Sequence, residues 1–228
     1  MPVGFGAGLE SDFSDVQKIS EVDTFDKELT EGFAGDDYDS ALSEAFSPGE
    51  RFHKTEDTGD GAGRIEKARY YDDAGKEYRV GNDLLPNNSY EINGYSYSTD
   101  EFGRILSAEG TLHMKNREGR LPIRDSIEDI GKGDQRSTDD RGHLIGDQFD
   151  GSNGMENMIP QDAGINRNDF KNFENDLAAQ VKDGKEVYVK VEPLYESDSR
   201  RPEAVLVSYS VNGNENYREF PNTSGGVL

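Results

Sequence analysis

The sequence predicts an α+β domain with an antiparallel or mixed sheet and one prominent helix, preceded by an acidic, partly helical N-terminal extension. Three observations carry this. Alternating apolar and polar runs flank the Asn-Gly pairs at 93–94 and 212–213, the signature of tight hairpins. One segment, Asn166 to Gly184, repeats apolar residues at helical spacing. The first fifth of the chain is strongly acidic, with thirteen Asp/Glu against Lys18 and Lys27 over residues 1–50.

Taken in order, Phe13, Val16, Ile19, Val22, Phe25 and Leu29, then Tyr38, Ala41, Leu42, Ala45 and Phe46, fall three or four apart and predict short amphipathic helices. The Gly-rich stretch 58–63 then predicts a flexible junction, giving an extension over 1–64 and a domain over 65–228. Ala68 to Val80 reads as a hairpin around Asp73-Ala74-Gly75, and Tyr90 to Tyr97 as a second one turning at Asn93-Gly94. A turn at 100–103 leads into Arg104-Ile105-Leu106, and Thr111 to Lys115 predicts a further strand. In the predicted helix, Phe170, Phe173, Leu177, Ala178 and Val181 share a face, Asp169 suits its start, and Gly184 its end. Lys185 to Glu192 alternates with period two, and Val205 to Val211 does so before the Asn212-Gly213 turn and a strand near Tyr217.

Composition excludes several classes. The 228 residues hold no apolar run near 18 residues, so no helical membrane span is expected, and Met1-Pro2-Val3 lacks the basic start and apolar core of a signal peptide. The absence of cysteine excludes disulfides and thiolate metal sites. A net charge of −22 argues against a nucleic-acid partner, yet the stretch 104–124 runs the other way. There Arg104, Lys115, Arg117, Arg120 and Arg124 face only Glu109 and Glu118, a balance of +3. This strip is the candidate phosphate track; solvated strand and loop residues are the equally weighted alternative.

Asp140-Arg141-Gly142-His143, followed by Asn157, Asn166 and Glu174, gathers the parts needed to cut a phosphodiester. A neutral histidine accepts a proton from water near neutral pH, so His143 is the candidate general base. A divalent cation stabilises the leaving oxygen and the charge of the transition state, and Mg²⁺, which keeps most of its waters, needs few protein donors. Asn166 would give one amide oxygen, with Glu174 holding metal-bound waters; eight residues apart on the predicted helix, the two fall about two turns apart on one face. Arg141 can clamp a phosphate oxygen through its planar fork, and Gly142 allows close backbone approach or an unusual angle. Singly, each of these residues is more often structural. The joint pattern carries the reading, and His53 and His113 lack such company.

On these motifs, together with Asn157-Met-Ile-Pro-Gln161, Ile165-Asn-Arg-Asn-Asp-Phe170, Tyr95 to Arg104 and Val191 to Tyr195, the chain resembles the DNA/RNA non-specific endonucleases of the ββα-metal superfamily. Within it, the chain is most similar to the C-terminal toxin domains of bacterial secreted effectors. The resemblance runs over about 86–222. It implies a hairpin carrying His143, the general base, packed on a helix carrying Asn166, the direct ligand of one Mg²⁺, for which Mn²⁺ can substitute. It further implies Glu174 orienting the metal's waters, Asn157 assisting near metal or phosphate, Arg141 on phosphate, Asp140 as a structural residue of the motif strand, and 5′-phosphate products. A second basic residue, which the family takes from an upstream segment, has Arg124 and Arg104 as candidates, with Arg120 behind them. DNA, and RNA besides, is the expected substrate, a cognate immunity protein the expected partner, and delivery by a dedicated secretion system the expected route. The acidic extension is expected either to shield the basic strip or to act as a solvated connector. The rival reading is a catalytically silent nuclease-fold module that binds protein through its acidic surface.

Overall fold

The computed structural model describes residues 51–53, by their backbone, and 67–223. The helices expected within 1–50 and the boundary expected near residue 64 lie outside the described residues. Contacts divide the chain into Met1–Glu44 and Ala45–Leu228, and every described residue belongs to the second unit.

Alternation decides the main sheet. Strands Ser89–Ile92 (β5), Tyr95–Thr99 (β6), Ile105–Thr111 (β7), Val187–Leu194 (β10), Ala204–Val211 (β11) and Asn214–Pro221 (β12) form six antiparallel strands in the order β12-β11-β10-β7-β6-β5. In β10, Val187, Val189 and Val191 are buried while Tyr188 is exposed, as a strand with one face on the core demands. Both Asn-Gly pairs make the expected turns, with positive φ at Asn93 (56°), Gly94 (77°), Asn212 (49°) and Gly213 (80°). A smaller sheet joins Arg51–His53 (β1), Arg69–Tyr71 (β2), Glu77–Val80 (β3) and Asp83–Leu84 (β4) in that order. Asp72 closes the predicted β2–β3 hairpin by accepting from the amides of Ala74 (3.0 Å) and Lys76 (2.8 Å). The strand expected at 111–115 is absent: β7 ends at Thr111, and beyond it Lys115 and Arg117 leave the sheet to pair with Asp147.

Between β7 and β10 the chain builds a separate hairpin-and-helix module. A short helix, Ile127–Gly131 (α1), capped by Ser126, precedes strands Asp139–His143 (β8) and Met158–Asp162 (β9), which pair in a two-stranded sheet. The helix expected from Asn166 divides into a π-helical turn, Ile165–Phe170, and a regular α-helix, Lys171–Lys182 (α2). Asp162 caps the turn, its carboxylate accepting from the amides of Gly164 (2.8 Å) and Ile165 (3.3 Å).

The core lies between this module and the inner face of the large sheet. Phe170, Phe173, Leu177 and Ala178 pack with Val189, Val191, Val207 and Phe220, each large side chain contributing about 1.5–3 kcal/mol by leaving water. Phe170 meets Phe220 edge-on at 5.0 Å and Phe173 meets Tyr209 at 5.2 Å. Two sheet tyrosines hold the module's loop: Tyr95 donates to the carbonyl of Phe149 (2.7 Å) and Tyr90 to that of Glu156 (3.2 Å).

A buried ionic cluster joins the small sheet to the module. Arg79, 2% exposed, places its fork on the Asp125 carboxylate at 2.9 and 2.5 Å, and Asp125 also accepts from the Met155 amide at 2.7 Å. Arg124 pairs with the fully buried Glu156 at 2.9 Å. Such a cluster costs desolvation, so its members must remain together.

Candidate active site

His143 ends β8, where Gly142 opposite Ile159 permits close pairing: a Cβ at Gly142 would run into the Gln161 side chain. The glycine serves the hairpin by lacking a side chain, and its backbone angle is ordinary. His143 opens into a cavity of about 360 Å³ lined also by Arg120, Gly146, Asp147, Asn166, Arg167, Phe170, Lys171 and Glu174. The fold therefore brings His143, Asn166, Glu174 and Arg120 together.

Asn166 reaches the cavity with one end of its amide already fixed. Its Nδ2 donates to Asp140 Oδ2 at 3.1 Å, and the same carboxylate takes Arg167 Nε at 2.8 Å and Nη2 at 2.6 Å. With Nδ2 held by Asp140, Oδ1 is left as the acceptor. Asp140 thus fixes the Asn166 amide, a contact that 26 residues of separation hid from the sequence. Glu174, one wall of the cavity, accepts from the Gly146 amide, and a Cβ at Gly146 would collide with its carboxylate.

Two electrostatic shifts follow from burial. The imidazole of His143, 9% exposed, is pushed down to about 3, mainly by burial and further by Arg120, Arg141 and Arg117, against the opposing pull of Asp147. It is therefore neutral at physiological pH, and the burial that keeps it neutral also makes it a weak base. Burial pushes Glu174 up to about 8, opposed by the Arg120 charge and the Gly146 amide, so extra positive charge in the cavity favours its ionised form. Among the described residues, no three His, Cys, Asp or Glu side chains converge as a metal cluster. An oriented amide oxygen beside a carboxyl that welcomes cationic charge is a sparse, hard-oxygen donor set, and it fits a largely hydrated divalent cation. Asn166 would hold that cation, with Glu174 reaching its waters.

The remaining expectations divide. Arg120 is exposed at the cavity rim and, among the described residues, has no ion-pair partner. Lys115 and Arg117 stand beside it, both engaged at 2.6 Å by Asp147. Arg124, expected on phosphate, instead turns inward to neutralise Glu156. Arg104 is likewise corrected: its Nε binds Asp100 at 2.6 Å and its fork lies over Tyr195, away from the cavity. Asn157, expected near metal or phosphate, is fully buried and fastens the loop after His143. Its Oδ1 accepts from the Ile145 amide (2.9 Å), and its Nδ2 donates to the carbonyls of Ile145 and Ser152 (both 2.8 Å). Arg141 does not line the cavity; one of its nitrogens donates to the Asp125 carbonyl at 2.9 Å, and its charge reaches His143 over distance. Sequence reasoning missed Asp147, Arg167 and Lys171, whose part in the cavity no local motif announces.

A β-hairpin carrying His143 and a helix carrying Asn166 thus meet at one cavity. The chain belongs to the DNA/RNA non-specific endonuclease family, whose model matches residues 86–213. It is 34% identical over 137 residues to "Type VII secretion system protein EssD" of Staphylococcus aureus (strain USA300), covering 57% of this chain and 22% of EssD. It is 27% identical over 111 residues to "Probable deoxyribonuclease RhsA" of Dickeya dadantii (strain 3937), covering 49% of this chain and 8% of that protein. The chain therefore spans a small part of the curated relatives it matches. Among solved structures, NucA from Streptococcus agalactiae with no metal bound aligns at a TM-score of 0.44 and 17% identity, covering 84% of this chain and 91% of NucA. Among the described residues, no helix is long and apolar enough to cross a membrane.

Proposed function

We propose that residues 65–228 form an Mg²⁺-dependent, sequence-nonspecific endonuclease acting on DNA, with RNA as a second substrate, behind an acidic extension over 1–64. The observation that carries the reading is the Asp140-fixed amide of Asn166, which offers Oδ1 to the same cavity that holds a neutral His143. Mn²⁺ would substitute in the same donor set.

In this reading an imidazole nitrogen of His143 takes a proton from the attacking water as its oxygen bonds to phosphorus. The phosphate is held in line by Arg120, whose guanidinium meets the charge that builds on the non-bridging oxygens. Asn166 would hold the cation through Oδ1, and Glu174 would orient its waters. When bound, the cation supplies charge stabilisation to the departing 3′ oxygen. The bond to that oxygen breaks and the oxygen takes a proton from solvent, leaving 5′-phosphate and 3′-hydroxyl ends. Nothing in these roles reads a base edge, which is why sequence indifference follows.

EssD and RhsA, the one named as a secretion-system protein and the other as a probable deoxyribonuclease, support a toxic effector role for this chain. Export through a dedicated secretion system and a cognate immunity protein over the cavity belong to that role. The test is cleavage of supercoiled plasmid and total RNA in Mg²⁺ and in EDTA, with His143→Ala alongside. Metal-dependent cleavage lost in the variant is expected. A folded wild-type chain that cuts neither substrate overturns the proposal.

A further inference from the structure

Ile165 and Phe170 are both buried, at 9% and 3% exposure, although they lie five residues apart in one continuous helix. An α-helix turns about 100° per residue, so five residues would set them about 140° apart, on nearly opposite sides. In that register the positions sharing the face of Phe170 one turn earlier are Asn166 and Arg167. Regular helix would drive two polar side chains toward the core and expose Ile165. Asn166 and Glu174 have a related problem: eight residues of α-helix leave them about 80° out of line.

The six-residue π-helical turn over Ile165–Phe170 relieves both conflicts. A π turn bonds residue i to i+5 and so carries more residues per turn. Ile165 comes round to the side of Phe170, and the lag between Asn166 and Glu174 shrinks, so that both line one cavity. Asn168 fastens the turn, its Nδ2 donating to the Gly164 carbonyl at 2.8 Å, while its side chain stays exposed.

We infer that this π turn sets the register of the cation site, aligning Asn166 with Glu174, and that Asn168 is a positioning residue for both. The inference rests on the proposed assignment of Asn166 and Glu174 to the cation. The turn is a spacer: it absorbs one extra residue, so that Asn166 stays in line with Glu174 while the apolar residues on either side remain in the core.

Asn168→Ala, which removes the bond that fastens the turn, is compared with Asn172→Ala, an exposed change in α2. The full chain is titrated calorimetrically with Mn²⁺ alone and with Mg²⁺ alone, without nucleic acid, and its fold is followed by far-UV circular dichroism. Asn168→Ala is expected to keep helical signal and cooperative melting while cation affinity falls by about tenfold, and Asn172→Ala to bind as wild type does. Equal binding in the two variants, with Asn166→Ala abolishing binding, overturns the inference and leaves the ligand assignment standing. Unchanged binding in Asn166→Ala overturns the assignment and the inference with it.

Discussion

Replacing Asp140 by alanine isolates the contact that fixes the Asn166 amide. Asp140 is joined to Asn166 Nδ2 at 3.1 Å and to Arg167 at 2.6 and 2.8 Å. The Arg167 side chain is 70% exposed, so losing that solvent-screened ion pair costs little stability. Cation binding should suffer far more, because the freed amide rotates and no longer presents Oδ1. Removing a partner that orients a metal ligand costs about 10–100-fold in affinity, equivalent to about 1.4–2.7 kcal/mol. Melting temperature and Mn²⁺ titration on the same sample separate the two effects. The expected result is a melting temperature close to wild type with strongly weakened Mn²⁺ binding and cleavage. Affinity unchanged by Asp140→Ala would refute the claim that the motif aspartate acts through the asparagine.

Two further outcomes are expected. Arg120→Ala should lower kcat by about 10²-fold and flatten the salt dependence of substrate binding by about one unit of slope, whereas Arg104→Ala should leave both unchanged; plasmid cleavage and DNA titration across salt concentrations check this. Asp125→Ala strands the buried Arg79 guanidinium and should cost about 3–5 kcal/mol, a fall of roughly 6–20 °C for a domain of this size. The Arg79 charge holds the Asp125 carboxyl below its usual range despite burial. Its contribution is therefore fully present above the unfolded carboxyl value of about 3.9 and is lost as pH falls through the lower folded value. Acid titration of stability should show that loss in wild type and not in the variant.

Local chemistry was legible in the sequence wherever one residue's neighbours along the chain decide its conformation. The Asn-Gly turns, the alternation of β10 and the apolar face of α2 were read for that reason. His143, Asn166 and Glu174 were singled out because their types and spacing form a motif, and the fold does bring them to one cavity. Asn157 was misread because burial is not written in a residue's type; the same amide that could bind metal instead satisfies loop backbone. The upstream arginines were ranked wrongly for a related reason. Whether an arginine faces a phosphate or a buried carboxylate depends on partners such as Glu156 and Asp100, which only the folded chain brings near. The π turn was hidden because a spacing of five is normally discarded as noise in a search for periods of 3.6.

The order of the large sheet also bears on when activity can arise during folding. Strands β5 to β7 and strands β10 to β12 are each consecutive hairpins, and only the β7–β10 seam joins pieces distant in the sequence. The whole hairpin-and-helix module is threaded between these two meanders. Local hairpins form early, and long-range pairing comes late because closing a long loop costs chain entropy. A growing chain therefore carries His143, Asn166 and Glu174 before it has the platform that holds them, and the finished arrangement must wait for β10 to dock. With no cysteine in the chain, that last step needs no oxidant and is completed by packing alone.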